Sequence, residues 1–84
     1  MPDIAEIEKY LSSETSVILR LGSKIPACDT PLKSLGYNSM SLVELLLSIE
    51  RRYGIQLLNK GLTEKDLGGI RNLAQRLHSE LAQA

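Results

Sequence analysis

Three side chains of this 84-residue chain stand out as a possible nucleophile, base or attachment point: Cys28, Ser39 and His78. The Cys28 thiol has Lys24 and Asp29 close in sequence but no histidine, and nucleophilic thiols are usually activated by a neighbouring base. His78 falls off the apolar stripe of a predicted helix near its C-terminal end, where an exposed imidazole suits the helix dipole. We therefore interpret Cys28 as a packing residue and His78 as a surface residue.

Ser39 directly follows Asn38 at the predicted start of a helix. The first N–H groups of a helix are unpaired and its dipole is positive there, so a phosphate attached to Ser39 would be well placed. Serine and asparagine before a helix are also its ordinary caps, and the local residues leave both interpretations open. Glu44 and Glu50 lie six residues apart on this helix, hence on different faces, and they cannot form an acid–base pair. No group of residues predicts an enzyme.

The elements that must position Ser39 are predicted to be helical, because sixteen leucines and seven isoleucines recur at helical spacing without the alternation of strands. Capping and breaking residues set the bounds. The predicted helices are 3–20, 39–53, 63–67 and 70–82, with a long connection over 22–38 that Ile25, Leu32 and Leu35 tether to the core. The expected fold is all-α: one domain over 1–84, a bundle of three main helices and one short one.

Composition excludes several classes of protein. Ten basic and ten acidic residues give no net charge, which argues against nucleic-acid binding. A single cysteine allows no internal disulfide, and one cysteine with one histidine predicts no metal site. Apolar runs such as Leu45–Leu47 are too short to span a membrane, and the acidic residues near the N-terminus do not suit a signal peptide. We expect a monomeric cytoplasmic domain.

The helix predicted over 39–53 has two apolar faces on a helical wheel. One face is suited to the core and contains Leu42, Leu45, Leu46, Ile49 and Tyr53. The other contains Met40, Val43 and Leu47 among polar neighbours. Exposed apolar residues rimmed by charge are typical of a docking surface, but the connection over 22–38 could equally fold over this face and bury it.

The segment Leu35-Gly36-Tyr37-Asn38-Ser39-Met40, followed by Val43-Glu44-Leu45, resembles the attachment motif of acyl carrier proteins. Ile49-Glu50 and Tyr53-Gly54-Ile55 extend the resemblance, as do the helix order and the loop lengths, so that it covers nearly the whole chain. It implies that Ser39 carries 4'-phosphopantetheine, added from coenzyme A by a phosphopantetheinyl transferase, and that cargo is bound to the terminal thiol as a thioester.

The resemblance also assigns further residues. Asn38, Met40, Val43, Glu44 and Leu47 match positions that face partner enzymes, which here would load and process the acyl group. Leu46 and Ile49 match positions near the cavity in which some carriers hold an acyl chain.

Several residues depart from the family pattern. Asn38 replaces the usual aspartate and Met40 the usual leucine, while Ser41, Arg51 and Arg52 stand where fatty-acid carriers are often acidic. The neutral charge therefore favours a carrier of a specialised fatty-acid, lipid or polyketide-type pathway, and Met1 with the domain-sized length predicts a free-standing protein. An aminoacyl or D-alanyl carrier is the first alternative. The second is a non-covalent adaptor that docks through Met40, Val43 and Leu47, with Ser39 only a cap.

Overall fold

The structure is a computed structural model that describes residues 2–22, 24 and 26–83. Every regular element in these ranges is helical, which confirms the all-α prediction. The long helices are α1 (Ile4–Ile18), α3 (Ser39–Tyr53) and α4 (Ile70–Gln83). Two short elements complete the fold, α2 (Leu32–Leu35) and a 3₁₀ helix (Leu57–Lys60). None of the described helices has both the length and the apolar character that a membrane span requires.

Helix α1 begins where the sequence predicts, because the Asp3 carboxylate accepts a hydrogen bond from the Glu6 backbone N–H at 2.8 Å. It ends two residues earlier than predicted, at Ile18, since Arg20 adopts a left-handed conformation with φ 55°. The polar stretch 12–15 does not interrupt the helix. Thr15 is instead fully buried.

The short helix predicted over 63–67 is wrong: this segment forms turns. Thr63 and Asp66 do bond to each other, and the Asp66 carboxylate accepts from the Thr63 backbone N–H at 3.0 Å. That carboxylate also accepts from Arg76 on α4 at 2.7 Å, which ties the turn sideways to another helix. Gly68 and Gly69 follow at once, so the turn has no good helix formers into which it could propagate.

The two short helical elements lie outside the four predicted helices. Helix α2 falls inside the long connection, between Pro31 at its N-cap and Gly36 at its C-cap, where φ is 111°. Proline suits a helix start and glycine a left-handed helix end. Leu32 is buried and Leu35 half-buried, so both tether the connection as expected. Ile25, the third predicted tether, lies outside the described residues.

The described part of the connection packs against the start of α4. The Arg71 backbone N–H donates to the Cys28 carbonyl at 2.9 Å, and the Leu32 N–H donates to the Leu67 carbonyl at 3.2 Å. A Cβ at Gly69 would lie only 2.6 Å from the Cys28 carbonyl oxygen. The connection and the start of α4 can therefore approach this closely only because glycine has no side chain at position 69.

The core is mainly aliphatic and joins the three long helices. Helix α1 packs against both α3 and α4. The fully buried side chains include Ile7 and Leu11 of α1, Leu45 and Ile49 of α3, and Leu73 and Leu77 of α4. At the edge of the bundle, Arg76 donates to Asp66, Glu80 and the carbonyls of Lys60 and Gly61. It thereby holds the segment 60–66 against α4.

Candidate functional site

Ser39 is the first residue of α3 and is exposed. Its neighbours form a capping box: the Asn38 amide oxygen accepts from the Ser41 backbone N–H at 2.9 Å, and the Ser41 hydroxyl accepts from the Asn38 backbone N–H at 2.9 Å. The capping role therefore belongs to Asn38 and Ser41. Ser39 itself keeps its hydroxyl at the positive end of the helix dipole. The sequence assigned Asn38 as a cap but missed Ser41, although the Asn-x-x-Ser spacing was a usable signal.

The residue before the cap anchors this end of α3 to the bundle. Tyr37 is buried, and its hydroxyl lies 2.8 Å from the hydroxyl of Thr15 on α1. Its backbone N–H donates to the Leu32 carbonyl at 3.2 Å. Burial raises the pKa of Tyr37, so the neutral phenol is favoured and can bond to Thr15. These contacts position the backbone that leads into Ser39.

The two apolar faces predicted for α3 are both present. Leu45, Leu46 and Ile49 are buried in the core, and Leu42 and Tyr53 are half-buried against it. On the other face, Met40 is 81% exposed, Val43 43% and Leu47 45%. The described residues of the connection, 22, 24 and 26–38, leave this face open. Docking of a partner on this exposed apolar face stays a prediction.

The exposed apolar surface extends beyond α3 to a residue that the sequence did not indicate. Leu58 of the 3₁₀ helix is 62% exposed, and with Leu47 it lines a groove of about 170 Å³ that Glu50 borders. In the sequence Leu58 follows the buried Leu57. Adjacent side chains point to different sides in a 3₁₀ helix and in an extended segment alike. The sequence therefore gave no specific signal that Leu58 is exposed.

The two predicted cavity residues occupy different environments. Leu46 is buried but borders the groove next to Leu47, whereas Ile49 is fully enclosed by the core. Neither lines a second, larger groove that opens beside Ser39. Their role in holding an acyl chain stays a prediction.

A larger groove of about 520 Å³ opens beside Ser39. Three segments form its walls: the start of α2, the start of α3 and the turn over 64–68. Its lining is mainly apolar, with Lys33 and Glu64 as the charged members; the full set is Pro31, Leu32, Lys33, Tyr37, Asn38, Ser39, Leu42, Glu64, Leu67 and Gly68. The site thus combines an exposed hydroxyl with space for a covalently attached group.

The two arginines at the end of α3 have different roles. Arg52 lies over the rings of Tyr10 and Tyr53, 5.0 Å and 6.0 Å from their centroids. The Tyr10 hydroxyl donates to the Ser48 carbonyl at 3.1 Å, so this cluster fastens α3 to α1. Arg51 is exposed. The structure therefore gives Arg52 a packing role and leaves Arg51 on the surface.

The remaining candidates form no second site. Cys28 is half-buried and packs against the core, in keeping with its predicted role. His78 is half-buried rather than exposed, a correction that reflects its place on the side of α4 near the bundle. Within the described part of the chain, no three histidine, cysteine, aspartate or glutamate residues are grouped to hold a metal ion.

Comparison with known proteins gives one result. The model of the family described as "Phosphopantetheine attachment site" matches residues 5–77, which is most of the chain. The matched range includes all of α3 and the groove beside Ser39. No curated protein and no solved structure matches the chain.

Proposed function

The chain belongs to the phosphopantetheine attachment-site family, and we propose that Ser39 is the residue to which its 4'-phosphopantetheine is attached. Members of this family are carriers without catalytic activity of their own, and the chain is accordingly a carrier protein. The observation that supports Ser39 is its exposed hydroxyl at the start of α3, next to a groove that can receive an attached group.

The residues around Ser39 fit this group. The capping box occupies Asn38 and Ser41, which leaves the Ser39 hydroxyl available to a phosphopantetheinyl transferase. The dipole of α3 favours a phosphodiester at this position, and the first turn contains no acidic residue to repel it. When attached, the group supplies a flexible arm ending in a thiol that carries cargo as a thioester. Tyr37 and Thr15 hold the attachment segment against α1.

Partner enzymes dock, in this proposal, on the exposed face of α3. The face presents Met40, Val43 and Leu47, with Glu44 at its edge and Asn38 at the end nearest Ser39. Leu58 extends it across the adjacent groove. An apolar surface that is partly exposed in the free protein contributes mainly to the free energy of binding, when a partner covers it.

The charge of this surface supports a specialised pathway. Glu44 and Arg51 are both exposed, and the chain has no net charge. Enzymes whose basic patches select an acidic carrier would gain little here, because complementary charge sets partner choice. We therefore propose an acyl carrier of a specialised fatty-acid, lipid or polyketide-type pathway, with an aminoacyl or D-alanyl carrier as the alternative.

The attachment is tested by incubating the purified protein with coenzyme A, magnesium and a broad-specificity phosphopantetheinyl transferase, followed by intact mass measurement. Wild type should gain one phosphopantetheinyl group and Ser39→Ala none. Ser34→Ala, an exposed serine on α2, is the matched control and should be modified like wild type. If several transferases leave wild type unmodified, the carrier function is wrong and an adaptor role for the α3 face is favoured.

The cargo is tested on the modified protein. Loading enzymes that activate fatty acids and those that activate amino acids are each supplied with the phosphopantetheinylated chain, and the bound mass is measured before and after hydroxylamine cleavage. Acyl loading by the first class supports the acyl proposal, and loading by the second class alone supports the aminoacyl alternative.

A further inference from the structure

We propose that α1 and the end of α3 form a second binding site, which takes an acidic segment of a partner protein through Arg52 and Lys9. The site is a groove of about 310 Å³ lined by Glu6, Lys9, Tyr10, Ser13 and Arg52. None of these residues belongs to the groove beside Ser39 or to the exposed apolar face of α3. The inference therefore goes beyond the proposed function, which uses only those two surfaces.

Two tyrosine rings fix the position of the Arg52 guanidinium. Its central carbon lies 5.0 Å from the ring centroid of Tyr10 and 6.0 Å from that of Tyr53. The rings meet edge to face, with centroids 5.5 Å apart and planes at 90°, and the Tyr10 hydroxyl donates to the Ser48 carbonyl. A side chain that is already held in this way loses less conformational freedom when it binds a ligand. Arg52 is thus positioned before a partner arrives.

The charges of Arg52 and Lys9 have no opposite charge bonded to them in the described part of the chain. Each ion pair among the described residues uses either Arg71 or Arg76. Arg52 and Lys9 are both exposed. The planar fork of an arginine matches the two oxygens of a carboxylate, and a lysine beside it supplies a second cation. The Ser13 hydroxyl lines the same groove and can donate a further hydrogen bond.

The charge pattern favours the separate carboxylates of a protein segment over a polyanion. Glu6 lines the groove. Burial raises the pKa of Tyr10 and the Glu14 carboxylate raises it further, so a second acidic residue lies near the cluster. A nucleic acid or an anionic membrane would meet these acids together with the two cations and would gain little. A protein segment can instead place one carboxylate at Arg52 and Lys9 and keep its other acidic groups away from Glu6.

The site is placed so that it can be occupied while an enzyme acts at Ser39. Arg52 follows Ser39 by 13 residues, which corresponds to about 20 Å along α3. It also lies roughly 140° around the helix from Leu47. A segment bound at Arg52 would therefore leave Ser39 and Leu47 uncovered. Such a partner would hold the carrier close to its enzymes without blocking them.

The site is tested by NMR titration of the isotope-labelled protein with a short glutamate–alanine peptide whose two ends are blocked. The control peptide has glutamine in place of each glutamate. We expect saturable shifts of the Arg52 Nε–H and of the Tyr10 ring signals with the glutamate peptide and none with the glutamine peptide. Added salt should weaken the binding, because the ion pairs formed are exposed to solvent.

Variants assign the binding to the two cations. Lys9→Gln and Arg52→Gln should each weaken the binding by about two- to fivefold, as expected for the loss of an exposed ion pair. Arg52→Lys keeps the charge without the planar fork and should fall between wild type and Arg52→Gln. Arg51→Gln is the matched control and should bind like wild type, since Arg51 is exposed but does not line the groove. Lys9→Gln decides the result if Arg52→Gln does not fold.

Several results would overturn the inference. Equal shifts with the two peptides would show that no carboxylate is recognised, and wild-type affinity in Lys9→Gln would place the binding elsewhere. Tighter binding of inorganic phosphate than of the glutamate peptide would indicate a phosphate site instead. Loss of binding after phosphopantetheinylation would contradict simultaneous use of the two sites. Ser39→Ala should bind the peptide like wild type, so that failure of this site and failure of attachment are separate results.

Discussion

Replacing Leu46 and Leu47 by alanine, one at a time, tests whether α3 has one face in the core and one face for partners. The two residues are adjacent in sequence and identical in type, but Leu46 is 4% exposed and Leu47 45% exposed. Leu→Ala removes three carbon groups, worth about 2.4 kcal/mol of transfer free energy when fully buried. At Leu46 a cavity adds to this cost, and we expect the free energy of unfolding to fall by about 2–5 kcal/mol.

At Leu47 water fills the vacated space and only part of the side chain loses contacts. We therefore expect a loss of no more than about 1 kcal/mol. In a domain of this size each kcal/mol lowers the melting temperature by roughly 4–8 °C, so thermal melts and urea titrations resolve the two variants easily. Leu47→Ala should instead have the larger effect on function. It should slow transfer to or from a loading enzyme while the fold remains intact.

Equal loss of stability in the two variants would place Leu47 in the core and refute the two-faced interpretation of α3. Unchanged loading by Leu47→Ala, measured at a temperature where the variant is fully folded, would separately contradict its role in docking.

Three further changes test other parts of the structure. Asn38→Asp should speed phosphopantetheinylation without loss of stability, because aspartate caps equally well and restores the usual charge; an unchanged rate would show that this charge is not limiting. Tyr37→Phe should cost about 1–3 kcal/mol by leaving the buried hydroxyl of Thr15 unpaired, and adding Thr15→Val should recover part of the loss. Burial raises the pKa of Tyr37, so the unfolded chain releases the phenolic proton at a lower pH than the folded protein does. Wild-type stability should therefore fall as the pH rises above about 10. A pH titration of the free energy of unfolding should show a smaller fall in Tyr37→Phe. Gly69→Ala should cost about 1–3 kcal/mol in denaturant titrations by pushing away the backbone of 28–29, and a neutral result would show that the connection can shift freely.

The sequence predicted the features of this fold that depend on local periodicity and capping. Helix α3 spans the same residues as the predicted helix because Asn38 and Gly54 are unambiguous cap residues. The helical wheel also separated Leu47 from the face of α3 that packs in the core, although it left open whether the connection covers Leu47. Such features depend on residues three or four positions apart, which a single sequence displays directly.

The features that the sequence did not predict depend on contacts between distant segments. The turn over 63–67 stays a turn because Arg76, ten residues beyond Asp66, binds it to α4. Thr15 belongs to a polar stretch of the sequence, yet it is buried because Tyr37 supplies a hydrogen-bond partner from 22 residues away. The groove beside Ser39 joins three segments and could not be inferred from any one of them.

Attachment at Ser39 is tested most directly by locating the modified residue. Trypsin cleavage after Lys33 and Arg51 releases the peptide 34–51, which contains Ser34, Ser39, Ser41 and Ser48. Fragmentation of this peptide from phosphopantetheinylated protein assigns the added mass to one serine. We expect a single phosphopantetheinyl group on Ser39; its location on another residue, or its absence after treatment with several transferases, would contradict the account of this site.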